Sequence, residues 1–148
     1  MDLILWRHAE AEDDAPGGDD LQRALTSRGE KQAARMAAWL DRQIVDGLKI
    51  LCSPALRCEQ TVLPLGRKYK VSEEVAPGTT AQKILYAAQW PHAKQPVLVV
   101  GHQPVLGETA ALLLGQKEGV SIKKGAAWWF RWRDDGVVLV AAMSPEMA

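Results

Sequence analysis

Three short segments place a cation or an imidazole directly behind an apolar run. Arg7-His8 follows "LILW" (3–6), Arg57 follows "LKILCSPA" (48–55), and His102 follows "PVLVVG" (96–101). Two guanidiniums supply forked donors that match phosphate oxygens. An imidazole with one ring nitrogen free and the other tied to a carbonyl is a nucleophile. His8 is therefore the candidate nucleophile, with Arg7 and Arg57 as phosphate clamps. His102 is the candidate donor to the equatorial oxygens of a transferring phosphoryl group. Such a site requires no metal and no cofactor.

The elements that must position these residues can be read from the same pattern. "LILW", "LKILCS" and "QPVLVVGH" read as buried strands, because each is short, apolar and ends abruptly in polar residues. Helical segments lie between them, so strands alternate with helices as in an α/β domain with a largely parallel sheet. In such sheets the strand ends converge on one edge, where ligands bind. A first helix is expected near Thr26 or Ser27, with Ser27 and Glu30 as a capping box and an apolar face of Ala33, Met36, Ala37, Leu40 and Ile44 before Gly47. A second should begin at "SPALR", with Ser53 as N-cap, Pro54 at the first helical position and Arg57 in the first turn. A third is expected from Thr79 and should end before Pro91, and a fourth follows "GHQP" as far as Gly115. In the tail, two β-rich runs flank Asp134-Asp135-Gly136, a hairpin signal.

Composition bounds the remaining readings. The chain has 148 residues, 47% of them hydrophobic, which suits one globular domain over residues 1–148. Eighteen basic and eighteen acidic side chains cancel, so no long-range pull toward nucleic acid or a membrane surface is expected, and any polyanion site must be local. No apolar run approaches the roughly 20 residues of a membrane span, and Asp2 stands where a signal peptide would be basic, so a cytoplasmic protein is expected. Cys52 and Cys58 lack the spacing of a zinc site and are expected to be reduced and at least partly buried. Cys52 and Arg57 form C-x4-R, one residue short of the C-x5-R that cysteine phosphatases place around phosphate.

Four segments together resemble the histidine phosphatase superfamily, also called phosphoglycerate mutase-like. They are Arg7-His8-Ala9 against the family's "RHG", "LTSRGEKQA" (25–33) against "LTxxGxxQA", "SPALRCEQT" (53–61) against "SPxxRxxQT", and Gly101-His102 against "GH". Only about 40 residues separate Gln60 from Gly101, too few for the cap carried by larger members, so the chain is similar to the short SixA-type branch. The resemblance implies a three-layer α/β/α sandwich with a mostly parallel central sheet and no large cap insertion. It also implies a phospho-His8 intermediate that is then hydrolysed, with the phosphoryl group drawn from a phosphohistidine-bearing signalling protein or a small phosphorylated substrate. A monomer is expected.

Ala9 departs from the family's Gly and adds a Cβ beside the nucleophile, which leaves a noncatalytic phosphate- or phosphoprotein-binding module open as an alternative. A small-molecule phosphomonoesterase with the same site is another, and a metal-dependent hydrolase using both histidines and nearby acids a third. Asp20 and Glu10 are the candidate general acids, Asp20 favoured by its place ahead of "RALT", and Arg23 is expected to touch phosphate. The remaining acids from Glu12 to Asp19 read as a solvated loop, and His92 as a loop residue. Trp128, Trp129 and Trp132 lie near Arg131, Arg133, Lys123 and Lys124; they read as core packing from an edge strand, with a partner surface as the alternative.

Overall fold

A computed structural model describes residues 1–44 and 46–148 of the chain. Six strands form one sheet: β1 (Asp2–Arg7), β2 (Lys49–Cys52), β3 (Lys70–Val71), β4 (Val97–Gly101), β5 (Ala127–Arg133) and β6 (Gly136–Met143). Their spatial order is β3-β2-β4-β1-β5-β6. The first four run parallel, while β5 is antiparallel to β1 and β6 antiparallel to β5.

The helices are α1 (Ser27–Gln43), α2 (Leu56–Val62), α3 (Ala81–Ala87) and α4 (Val105–Leu114). They cover both faces of the sheet, which explains why the central strands are apolar without interruption. Ile4, Trp6, Ile50, Cys52, Leu98 and Val100 face one core with Met36 and Leu40 of α1 and Cys58 and Val62 of α2. Leu3, Leu5, Leu51, Val97 and Val99 face the other, with Ile84 of α3 and Val105, Leu106 and Ala110 of α4. This is the expected three-layer sandwich. Between α2 and β4 lie only the two-residue strand β3, short 3-10 turns and α3, so nothing of a cap's size stands over the sheet edge.

Two helix starts fall one residue away from expectation. Thr26, not Ser27, caps α1 by accepting from Gly29 N, and Thr80, not Thr79, caps α3 by accepting from Lys83 N. At α2 the difference has chemical weight. The helix begins at Leu56 with Ala55 at the cap position, and Ser53 is released for another contact. Arg57 still lies in the first turn. The tail forms the expected hairpin: Asp134 and Asp135 take φ of 49° and 65°, a two-residue turn whose positive angles match the twist of the strands.

The tryptophans of β5 pack in alternation. Trp128 lies beside Phe130, Trp132 meets Trp90 edge-on with ring centroids 6.1 Å apart, and Trp129 on the opposite face donates its Nε1–H to Asp2 Oδ2. All three are half-buried, as core packing requires. Among the described residues, no helix is long and apolar enough to cross a membrane.

Candidate active site

β1 and β4 are neighbours in parallel register, with Arg7 opposite Gly101, so His8 and His102 emerge side by side at the carboxyl edge of the sheet. Their ring centroids are 5.4 Å apart. Arg57 arrives from the first turn of α2, one strand further along. A pocket of about 250 Å³ joins Arg7, His8, Arg23, Arg57, His102 and Lys124, with Ala11, Asp13, Pro77, Gly78 and Gln103 completing its wall. Four cations against one carboxylate give it a positively charged lining.

His8 is 7% exposed, and its Nδ1 lies 2.7 Å from the carbonyl oxygen of Ala9. A carbonyl only accepts, so Nδ1 carries the ring proton and Nε2 is left with a free lone pair. Burial pushes the imidazole down to about 4, with Arg57, Arg7 and Arg23 opposing its protonation and the Ala9 carbonyl favouring it. The ring is therefore held neutral at physiological pH, with Nε2 free to accept.

His102 is tied by the other nitrogen. Arg57 Nη2 lies 3.4 Å from Nδ1 and can only donate, so Nδ1 accepts and Nε2 carries the proton. Nε2 then donates to Ser53 Oγ at 2.7 Å. Ser53 also accepts from Ala55 N at 3.2 Å. Burial pushes His102 down to about 3, assisted by His8 and Arg57. Cys58 lies 3.6 Å from the same Nε2, a buried free thiol pushed up to about 12 by desolvation.

Arg57 is 4% exposed and is held on its outer side by Asp20, donating from Nη1 to the backbone oxygen at 2.8 Å and from Nη2 to Oδ2 at 3.1 Å. Arg23 closes the same knot, donating to Asp20 Oδ1 at 2.9 Å and to Glu12 O at 2.7 Å. Arg7 donates from Nη1 to Ile122 O at 2.9 Å, and burial lowers it from its ordinary value. The Nε atoms of Arg7 and Arg57 are buried and have no hydrogen-bond partner among the described residues.

The two candidate acids each hold hydrogen bonds of their own. Glu10 accepts from Thr26 Oγ1 at 2.7 Å at the start of α1 and does not line the pocket. Asp20 does not line it either, and the hydrogen bond from Arg23, with Arg57 beside it, holds its carboxyl below the usual carboxylate range. Asp13, assigned above to solvated loop, is the carboxylate on the pocket wall. Lys124 and Ser53 were likewise missed, Ser53 because its position before Pro54 looked like a helix cap.

Ala9 keeps a negative φ, since positive values among the described non-glycine residues occur only at Gln89, Asp134 and Asp135. It is fully buried against Leu25 and Ala33, away from the pocket lining. Its N–H donates to Thr61 Oγ1 at 3.0 Å, and Thr61 donates to Arg57 O at 2.7 Å, so the His8 turn and Arg57 share one brace. The other motif residues brace the same turn. Gln32 Oε1 accepts from Glu10 N, Gln60 Oε1 accepts from Leu25 N, and Gly29 sits so close to the Glu10 carbonyl that a Cβ would collide with it.

The model of the histidine phosphatase superfamily (branch 1) matches residues 3–80, over half of the chain. The chain belongs to the histidine phosphatase superfamily. It is 33% identical to the phosphohistidine phosphatase SixA of Escherichia coli K12 over 76% of this chain and 74% of that one. It is 30% identical to a SixA homolog of Haemophilus influenzae, covering 82% of each. A solved structure of the protein histidine phosphatase SixA complexed with tungstate superposes with a TM-score of 0.80 at 27% identity, covering 98% of this chain and 97% of that one. These relatives place the chain in the SixA-type branch. Among the described residues, no three or more His, Cys, Asp or Glu side chains are grouped to hold a metal ion.

Proposed function

We propose that this chain is a metal-independent phosphohistidine phosphatase, acting as one catalytic domain over residues 1–148. The observation that carries the reading is the 2.7 Å contact between His8 Nδ1 and the Ala9 carbonyl, which leaves Nε2 unprotonated at the centre of an arginine-lined pocket. Nε2 attacks the phosphorus in line. The new P–N bond forms on His8 as the bond to the leaving group breaks, and water then attacks phospho-His8 to release phosphate. Arg7 and Arg57 carry the charge that spreads over the equatorial oxygens, with Arg23 at the rim. That a SixA relative is complexed with tungstate, a tetrahedral oxyanion shaped like phosphate, supports an anion pocket here.

His102 contributes when its proton sits on Nδ1. Ser53 permits this, because a hydroxyl can donate to Nε2 as readily as it accepts from it. With Nδ1 protonated, the ring turns from an acceptor of Arg57 into a donor to a phosphoryl oxygen.

A protein-borne phosphohistidine is the substrate the site suits best. Its leaving imidazole departs well once protonated and needs little from a general acid, in keeping with Glu10 and Asp20 both being engaged elsewhere. The uncapped sheet edge leaves room for a protein surface. Incubation with a phosphodonor followed by alkaline quench should place acid-labile phosphate on His8, and a panel of phosphohistidine proteins, sugar phosphates and nucleotides should show preference for the first. Turnover of small esters alone would reassign the chain as a phosphomonoesterase, and an unlabelled His8 with phosphate affinity unchanged in His8→Ala would reassign it as a binding module. Activity that survives EDTA separates it from a metal-dependent hydrolase.

A further inference from the structure

The pocket wall that carries Lys124 continues into a second charged surface. Gly125, the next residue, donates its N–H to His8 O at 3.0 Å and accepts from Trp6 Nε1 at 2.9 Å. Its backbone, at φ +78°, runs so close to α1 and the C-terminal segment that a Cβ would lie 2.9 Å from Pro145 Cγ and 3.6 Å from Gln32 Cβ. Beyond that junction Arg28, Lys31 and Arg35 line a shallow groove of about 260 Å³ with Gln32, Pro145 and Glu146. The spacing 28, 31, 35 sets the three cations on one face of α1, over about 10 Å of helix. Lys123 stands nearby. Glu146, held low first by backbone and Ser144 hydrogen bonds, also feels Lys123 and Arg28. Glu30, the other acid early in α1, lines a separate hollow with Gln60, Leu63 and Pro64.

The surface is thus five exposed cations around one carboxylate, in a chain whose net charge is zero. The pocket wall itself carries one acid, Asp13, and its chain neighbours Glu12 and Asp14 are exposed. We infer that the face made by Arg28, Lys31, Arg35, Lys123 and Lys124 seats an acidic surface of the protein that carries the phosphohistidine. The inference rests on the phosphohistidine-protein reading above. Lys124 lines the pocket and is followed by Gly125, which packs against Gln32 and Pro145 of the groove, so a protein seated on the face lies beside the pocket. A small ester reaches the pocket without touching α1. Complementary charge along a rim acts mainly on encounter rate and salt dependence.

The test compares kcat/KM for phosphohistidine on an acidic carrier domain with kcat/KM for free phosphohistidine. It uses the wild type, the double variant Arg28→Glu/Lys31→Glu, and the charge-retaining Arg28→Lys/Lys31→Arg. Neither position lines the pocket, and glutamates in the first two turns suit the helix dipole, so the fold is spared. The charge reversal should cost the phosphoprotein reaction about 10-fold or more at low salt and flatten its salt dependence. Free phosphohistidine should turn over unchanged, and the charge-retaining variant should behave as wild type. Equal losses on both substrates, or no loss on the phosphoprotein, overturn the docking face. A wild type that hydrolyses free phosphohistidine and ignores the phosphoprotein overturns the proposed substrate and the face together. Binding to vesicles of anionic phospholipid that the double variant loses, with phosphoprotein turnover unaffected, assigns the face to a membrane and overturns it also.

Discussion

The junctions after β1 and β4 are near copies: adjacent parallel strands, each ending in a buried histidine whose ring is held neutral by desolvation and arginine. They differ in which nitrogen is tied. His8 gives Nδ1–H to a backbone carbonyl, a partner that cannot change role, whereas His102 holds its Nε2 against a hydroxyl, a partner that can. A fixed partner makes a fixed lone pair, which is what a nucleophile needs. A reversible partner would let the second ring change from acceptor to donor in the mechanism proposed for the site. Burial and charge alone would not separate the two residues; the hydrogen-bond partner does.

Replacing His8 breaks the comparison most completely. His8→Ala should abolish turnover and the alkali-stable label together, and near wild-type rates in that protein would falsify the mechanism. The shared burial makes a thermodynamic prediction. Each ring titrates below its ordinary 6.5 in the fold, so the unfolded chain binds the proton first as pH falls. Stability from these rings is full above about pH 6.5 and declines as pH drops through about 4 for His8 and about 3 for His102. The loss from His8 alone should be about 3 kcal/mol by pH 4. Urea midpoints at pH 7 and pH 4 should therefore converge in His8→Ala relative to wild type; an unchanged pH slope would show the ring is not held neutral.

His102→Ala should lower kcat by about 100-fold while His8 is still phosphorylated, since one oxyanion donor is lost and the nucleophile kept. Rapid-quench measurement of label formation would distinguish this from lost phosphorylation. Ser53→Ala should cost about 10-fold, the worth of one buried hydrogen bond, and shift the pH profile of kcat/KM. A uniform loss with an unmoved profile would reduce Ser53 to a structural role. Ala9→Gly sits at the small end, with activity within about 2-fold of wild type and a modest loss of stability from the added backbone freedom and the lost contacts with Leu25 and Ala33.

Much of this is legible in the amino-acid sequence. Apolar runs buried on both faces announce themselves without alternation, and the three strand-end clusters fell where a parallel sheet brings them together. Residues in the loops were harder. Glu10 and Asp13 differ by three positions, yet Glu10 turns to the α1 cap while Asp13 lines the pocket, because the bridge between Ala11 and Leu25 sets which way that strand end faces. No local pattern encodes such a pairing. Ser53 was misplaced for a related reason: a Ser-Pro pair signals a helix start by itself, and only the neighbouring strand supplies the imidazole that claims the hydroxyl.

Cys58 lies 3.6 Å from His102, directly behind the candidate site, and its thiol is kept protonated by burial. Oxidants attack thiolates, so this sulfur offers peroxide little to react with. A phosphatase built on a cysteine nucleophile must expose a thiolate to work and is silenced when that thiolate becomes a sulfenic acid. With the nucleophile on an imidazole and the nearest sulfur sealed, dephosphorylation here should continue through oxidative stress that halts its thiol-based counterparts.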